Sequence, residues 1–177
     1  KKNDSKIESE KNQDINRNIQ GGAKMQPYIL KAKNIIVGRE LENKENAAIK
    51  IEDGKIAEIY ENAAQMPDEG LDVVDLGEKT VIPGMIDCHN HLALDTRLEN
   101  HLVKMNDCEC EQTIRALKTM KDDLVSGVTT ARCLGDRFYI DVTCKKAQKE
   151  GRIQGPKLVV SGIGMRASHG HGYVGMP

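Results

Sequence analysis

Thr80-Val81-Ile82-Pro83-Gly84-Met85-Ile86-Asp87-Cys88-His89-Asn90-His91 is the run from which the architecture of this chain can be worked out. After Pro83-Gly84, Met85 to Cys88 reads as a short buried strand that ends at two histidines. Residues i and i+2 of a strand point to the same side, so His89 and His91 are expected to project together, as half of a metal site. A catalytic zinc takes three protein ligands and keeps one position open, so further ligands must come from elsewhere. Asp87 is expected on the histidine face, with Cys88 and Asn90 turned toward covering helices.

Downstream, the pattern alternates. Ile114, Leu117, Met120, Leu124 and Val125 lie at helical spacing within residues 110–126, and Gly127 closes the run. Val128 to Cys133 reads as a strand. A second helical stripe (Tyr139, Ile140, Thr143, Cys144, Ala147) is closed by Gly151, and Lys157 to Ser161 reads as a third strand. Strand, helix, strand, helix, strand implies an α/β fold with right-handed βαβ units and a parallel sheet. Ligands of such proteins gather outside the carboxyl ends of the strands. His89 and His91 fall at one such end and Arg132 and Cys133 at the next. Ser168-His169-Gly170-His171-Gly172-Tyr173 follows the third strand, in a glycine-rich stretch from Gly162 to Gly175. Its loop lacks the fixed spacing on a rigid element that a metal favours, so His171, with His169 and Tyr173, is read as contacting substrate. His101, in the segment after the first strand, is expected to be solvated. The glycines are followed by no Gly-Lys-Ser/Thr and do not open a helix with dinucleotide spacing, and no Gly-x-Ser-x-Gly is present.

Upstream, Tyr28-Ile29-Leu30 and Ile35-Ile36-Val37 are short β-prone runs. Ala48-Ile49-Lys50-Ile51-Glu52, Asp53-Gly54 and Lys55-Ile56-Ala57-Glu58-Ile59-Tyr60 spell a hairpin, because Asp-Gly tolerates the positive φ angles of a type I′ turn. That register sets Glu52 opposite Lys55 and Ile51 opposite Ile56. Val73 to Leu76 and Thr80 to Ile82 supply further strands. Residues 1–24 are too polar to offset their ordering entropy and are expected to be a disordered tail or leader. They lack the apolar core of a secretory signal.

The composition narrows the function. Of 177 residues, 38% are hydrophobic and 30% charged, while aromatics are 3%, so the core must be aliphatic. A net charge of -1 gives no electrostatic case for nucleic acid or an anionic membrane. No apolar stretch approaches the roughly 20 residues that cross a bilayer. The five cysteines are odd in number and form no zinc-knuckle or redox spacing, which suggests reduced thiols in a cytoplasm. Cys108-Glu109-Cys110 is the one close pair, read as surface or half-buried thiols rather than a metal or redox site.

With strands and an Asp-Gly hairpin before it, Val81 to His91 resembles the start of an amidohydrolase-superfamily enzyme. Gly127-Val128-Thr129-Thr130-Ala131-Arg132 and Gly155-Pro156-Lys157-Leu158-Val159-Val160-Ser161-Gly162 are similar to the branch containing imidazolonepropionase and the prolidase-like and arginine carboxypeptidase-like amidohydrolases. The resemblance runs from about Met25 to Pro177. It implies a (β/α)8 TIM barrel, of which 84–177 would supply the first three strands, preceded by a β-sandwich segment over 25–83. It implies one or two divalent metals, commonly zinc, with His89 and His91 as ligands from the first strand. The family loop after the third strand often reads Gly-Gly-His, and His171 best matches that histidine, while His169 departs from the pattern. The family's other ligands and its aspartate general base come from later strands that this sequence lacks. A barrel needs about 250 residues, so the chain is expected to be the N-terminal part of a longer enzyme or one half of a split one.

The resulting expectation is a metal-dependent hydrolase of carbon–nitrogen bonds in a cyclic amide, amidine or small, dipeptide-like substrate. It would act through metal-activated water once the remainder of the barrel completes it, as a homo-oligomer, with no nucleic-acid or membrane partner. The alternative is a non-catalytic fragment or assembly module that keeps the fold signature.

Overall fold

The structure is a computed structural model and describes residues 26–66, 70–165, 167 and 170. The chain is a mixed α/β polypeptide in two compact units that divide between Pro83 and Gly84.

The first unit holds five strands, β1 (Tyr28–Val37), β2 (Glu42–Glu52), β3 (Lys55–Tyr60), β4 (Asp72–Asp75) and β5 (Thr80–Val81). They form one sheet in the order β3-β2-β1-β4, with β5 also on β1. The two short runs expected at Tyr28–Leu30 and Ile35–Val37 are one continuous strand, because β2 pairs along its whole length. The hairpin has the expected register, Ile51 opposite Ile56 and Glu52 opposite Lys55. Asp53 (φ +50°) and Gly54 (φ +71°) both take the left-handed angles that a type I′ turn demands. β4 and β5 run parallel to β1 along one edge, joined through a turn at Gly77. The Gly77 N–H donates to Asp75 Oδ1 (2.8 Å) and its carbonyl accepts from the Lys33 N–H (2.9 Å). Ala32, Ile35, Ala47 and Ile49 form an aliphatic core with Leu76 and Val81 packed against it. The described residues of this unit make a single sheet.

The second unit is a parallel sheet, β6 (Met85–Asn90), β7 (Val128–Cys133) and β8 (Lys157–Val159), in that order, covered on one face by helices. A short helix α1 (His101–Lys104) and the long helix α2 (Glu109–Val125) lie between β6 and β7, and α3 (Ile140–Lys149) lies between β7 and β8. Glu109 and Glu111 in the first turn of α2 favour its positive end. Its chain turns away at Gly127 (φ +94°), whose N–H donates to the Leu124 carbonyl (3.0 Å). Register assigns the two faces. Asp87, Ala131 and Leu158 lie side by side, as do Thr130 and Lys157, and Ala131 and Leu158 are buried. They pack with Leu92, Ala116, Met120, Cys133, Ile140 and Cys144 under the helices. Ile86, Thr130, Arg132 and Val159 belong to the opposite face, where Ile86 is 66% and Val159 47% exposed.

Of the apolar stripe expected on α2, Met120 is buried and the rest is exposed. Gln112, Ala116 and Met120, four apart, point inward, whereas Ile114, Leu117, Leu124 and Val125 are exposed. A glutamine fits there because its Nε2 donates to the carbonyls of Met105 (3.0 Å) and Asp107 (2.7 Å), so its burial leaves no donor unpaired. On α3, Ile140, Cys144 and Ala147 are buried as expected, with Asp141 in place of Tyr139 and Thr143, which are exposed. β8 stops at Val159, short of the expected Ser161.

Candidate metal centre at the strand ends

β6 carries an irregularity where the chemistry lies. Asp87 pairs with Ala131 and Asn90 with Cys133, so three steps on β6 match two on β7. The extra residue is a bulge, a device that re-aims side chains at a strand end. It turns Asp87 and Asn90 to the same, helix-covered side. Asp87 Oδ1 accepts the His89 backbone N–H (2.9 Å) and Oδ2 accepts Asn90 Nδ2 (3.0 Å); Asn90 Nδ2 also reaches Asp123 of α2 (3.2 Å). The expectation that Asp87 shares the histidine face is therefore corrected: the bulge breaks the simple alternation. Asn90 does face the helices and is buried, whereas Cys88 is exposed rather than covered. The hydrogen bonds from His89 and Asn90 hold the Asp87 carboxyl below the usual carboxylate range, while burial raises Asp123 above it.

The two imidazoles come together. Their ring centroids are 5.4 Å apart at an interplanar angle of 65°. His89 is exposed and His91 half-buried. His91 Nδ1 is 2.8 Å from the carbonyl oxygen of Gly135. A carbonyl only accepts, so Nδ1 is the donor here, and Nε2 is the ring nitrogen left to face a ligand. Two imidazoles that bind one tetrahedral ion at about 2 Å have centroids about 5 Å apart. The observed spacing fits that demand, and a half-site of two nitrogen donors suits zinc.

Residues not anticipated from the sequence frame this pair. Leu134, Gly135 and Asp136 follow β7. Asp136 is buried, and its Oδ2 and Oδ1 accept the N–H groups of Leu92 (3.1 Å) and Ala93 (2.9 Å). Burial, more than its neighbours, pushes its carboxyl up to about 6. Asp141 does the same for the end of β8: its Oδ2 accepts the N–H groups of Ser161 (3.1 Å) and Gly162 (3.0 Å), and its Oδ1 that of Val142 (2.8 Å). A strand followed by Gly135-Asp136 was the one sequence signal available, since short polar residues after a strand serve as acceptors for loop backbone.

Among the described residues one trio of metal-capable side chains closes to within 4.8 Å, Cys133, Asp136 and Asp141, all buried. Every carboxylate oxygen in it already accepts a backbone N–H, and burial pushes the Cys133 thiol up to about 12. The two aspartates work as clasps between strand ends. Arg132 is exposed on the face opposite the helices. His101 starts α1 and is half-buried. His169, His171 and Tyr173 lie outside the described residues. Cys108 and Cys110 are both exposed free thiols.

No family model matches the chain. Over 74 residues it is 31% identical to an imidazolonepropionase of Brucella anthropi, a match covering 41% of this chain and 18% of that protein. The fold is similar to the crystal structure of a prolidase complexed with N-methylphosphonate-L-proline, with a TM-score of 0.68 and 26% identity over 84% of this chain and 35% of that one. It is also similar to the crystal structure of an amidohydrolase, with a TM-score of 0.63 and 28% identity over 78% of this chain and 32% of that one. The chain thus spans about a third of the length of these solved structures. In sequence and in fold it matches the amidohydrolase superfamily, over the N-terminal portion of those proteins.

Proposed function

We propose that this chain carries the first two metal ligands, His89 and His91, of a metal-dependent hydrolase of carbon–nitrogen bonds. The observation that carries the reading is the imidazole pair, with centroids 5.4 Å apart and the His91 Nδ1–H engaged by Gly135. A divalent ion, most simply zinc, would supply an activated water and polarise the scissile carbonyl. The chain's own part is to present and hold the ligands. Asp87 fixes the backbone at His89, Gly135 fixes the tautomer of His91, and the clasp at Asp136 holds the backbone just beyond it. The substrate would be a cyclic amide, an amidine or a small peptide; the similarity to a prolidase complexed with a proline-containing phosphonate supports the last. His171, with His169 and Tyr173, would contact it from the loop after β8.

In this reading residues 84–177 are the first three strands of a (β/α)8 barrel, 25–83 a segment of a composite β-sandwich, and 1–24 a polar tail. The remaining ligands and the general base come from further strands, on the same longer protein or a second chain. Support comes from the sheet itself: among the described residues β6 and β8 are both edge strands, and Ile86 and Val159 on the face opposite the helices are exposed. Apolar side chains on an open face with two free edges call for a covering partner. No helix among the described residues is long and apolar enough to cross a membrane. The unpaired thiols suit a reducing cytoplasm.

Zinc content of the protein and of the His89→Ala/His91→Ala variant tests the proposal. Loss of zinc in the variant is expected; unchanged stoichiometry sinks the assignment. The alternative, a non-catalytic assembly module, predicts a metal-free protein in both cases.

A further inference from the structure

We infer that Asp136 is a positioning residue for His91: its carboxylate takes over from the β-ladder where β6 ends and sets the histidine's place at the site. The inference rests on the reading of His89 and His91 as metal ligands.

Four consecutive residues, Asn90 to Ala93, are gripped by three, Leu134 to Asp136. The Leu134 N–H donates to the Asn90 carbonyl (2.9 Å), and this is the last backbone bond between the two segments. Beyond it the ladder stops, yet His91 and the two residues after it are still held. His91 Nδ1–H donates to Gly135 O, and the N–H groups of Leu92 and Ala93 donate to the two oxygens of Asp136. Leu92 is wholly buried, so its N–H has no water to turn to. Asp136 is fixed in turn, because its own N–H donates to the Gly162 carbonyl (3.0 Å). The ring and the backbone of His91 are thus anchored to neighbouring atoms of one tripeptide.

The chemistry requires a carboxylate. Two adjacent N–H groups converge on it, and each needs an acceptor. An asparagine offers one acceptor oxygen and one NH2, which would face an N–H donor to donor. Asp141 gives the molecule its own control. It accepts two consecutive N–H groups in the same manner, at Ser161 and Gly162, and so reaches His91 only indirectly, through the Gly162 carbonyl that holds Asp136. A carboxylate that only stabilises the fold should behave alike at both places.

Zinc affinity, by competition with a chromophoric chelator, separates the two roles in Asp136→Asn and Asp141→Asn proteins, alongside the visible spectrum of the cobalt(II)-loaded forms. Loss of an outer partner of a metal-bound histidine costs about 10- to 100-fold in affinity. That loss, with an altered cobalt spectrum, is expected for Asp136→Asn. Asp141→Asn, whose link to the site runs only through Gly162, should lower the melting temperature but cost clearly less zinc affinity than Asp136→Asn. Should Asp136→Asn not fold, Asp136→Glu keeps the charge and both acceptors but displaces them by one methylene, and the same loss is expected. Parent-like zinc affinity in the folded Asp136 variant overturns the inference, as does an equal loss in both asparagine variants. If the His89→Ala/His91→Ala protein binds zinc like the parent, the metal assignment falls first, so the two failures are told apart.

Discussion

His91 and Gly135 stand 44 residues apart in the chain and 2.8 Å apart in the fold, imidazole Nδ1 to carbonyl oxygen. The contact settles which ring nitrogen is free, and it depends on an unusual backbone. Gly135 has φ +116°, and a Cβ placed on it would sit 2.6 Å from the amide nitrogen of Gly164 and 2.7 Å from its Cα. Neither the angle nor the space admits a side chain.

Gly135→Ala is therefore expected to destabilise the protein by about 2–4 kcal/mol, from backbone strain and overpacking together. It should also weaken zinc binding, because the carbonyl that holds His91 must move. Denaturant unfolding with a parallel zinc titration checks both; parent-like stability would show that the loop at Gly164 yields freely.

Two buried aspartates should give opposite pH signatures. Hydrogen bonds from the Arg97 side chain, Nε at 2.8 Å and Nη2 at 2.9 Å, hold the Asp95 carboxyl near 2, below its ordinary 3.8. Its folded-state pKa is depressed, so its stabilisation is complete above the unfolded value and is lost as pH falls toward about 2. Burial raises Asp136 from 3.8 to about 6. There the folded state retains a proton that the unfolded state has released, so this contribution declines as pH rises through that window. Melting temperatures across this range should show a flatter acid limb in Asp95→Asn. The gap between parent and Asp136→Asn should narrow as pH rises from 3.8 to about 6; a constant gap would contradict the assignment.

The thiols divide by burial. Cys88, Cys108 and Cys110 are exposed, whereas burial pushes Cys133 up to about 12 and Cys144 to about 11. Because the thiolate is the reacting species, a disulfide reagent at mild alkaline pH should modify three thiols of the native protein promptly and the other two only after unfolding. Early modification of Cys133 or Cys144 would mean that the helix layer opens readily.

Helix α2 offers a direct check of which face packs. Met120 is wholly buried, while Val125 is 81% exposed. Met120→Ala should cost about 2–4 kcal/mol, since it opens a cavity beneath the helix. Val125→Ala should stay within about 0.5 kcal/mol, as exposed positions do. Equal costs, read by denaturant midpoint, would return Val125 to a packed face.

The local elements were readable without coordinates. Asp53-Gly54 specifies its turn because few residues accept positive φ, and the alternation of β-prone and helical runs after Pro83 specifies a parallel sheet. His89 and His91 could be paired from their spacing alone. The tertiary structure decided what spacing cannot carry. The bulge in β6 sends Asp87 toward Asn90 and the helices rather than toward the imidazoles, because register depends on the partner strand. Gln112 replaces Ile114 and Leu117 on the buried face of α2, because two backbone carbonyls outside the helix satisfy its amide. Asp136 and Asp141 read in sequence as ordinary loop and helix acids; only packing brings each to a pair of backbone N–H groups far along the chain. Local backbone preference is written in neighbouring residues, whereas hydrogen-bond partners across strand ends exist only once the strands are side by side.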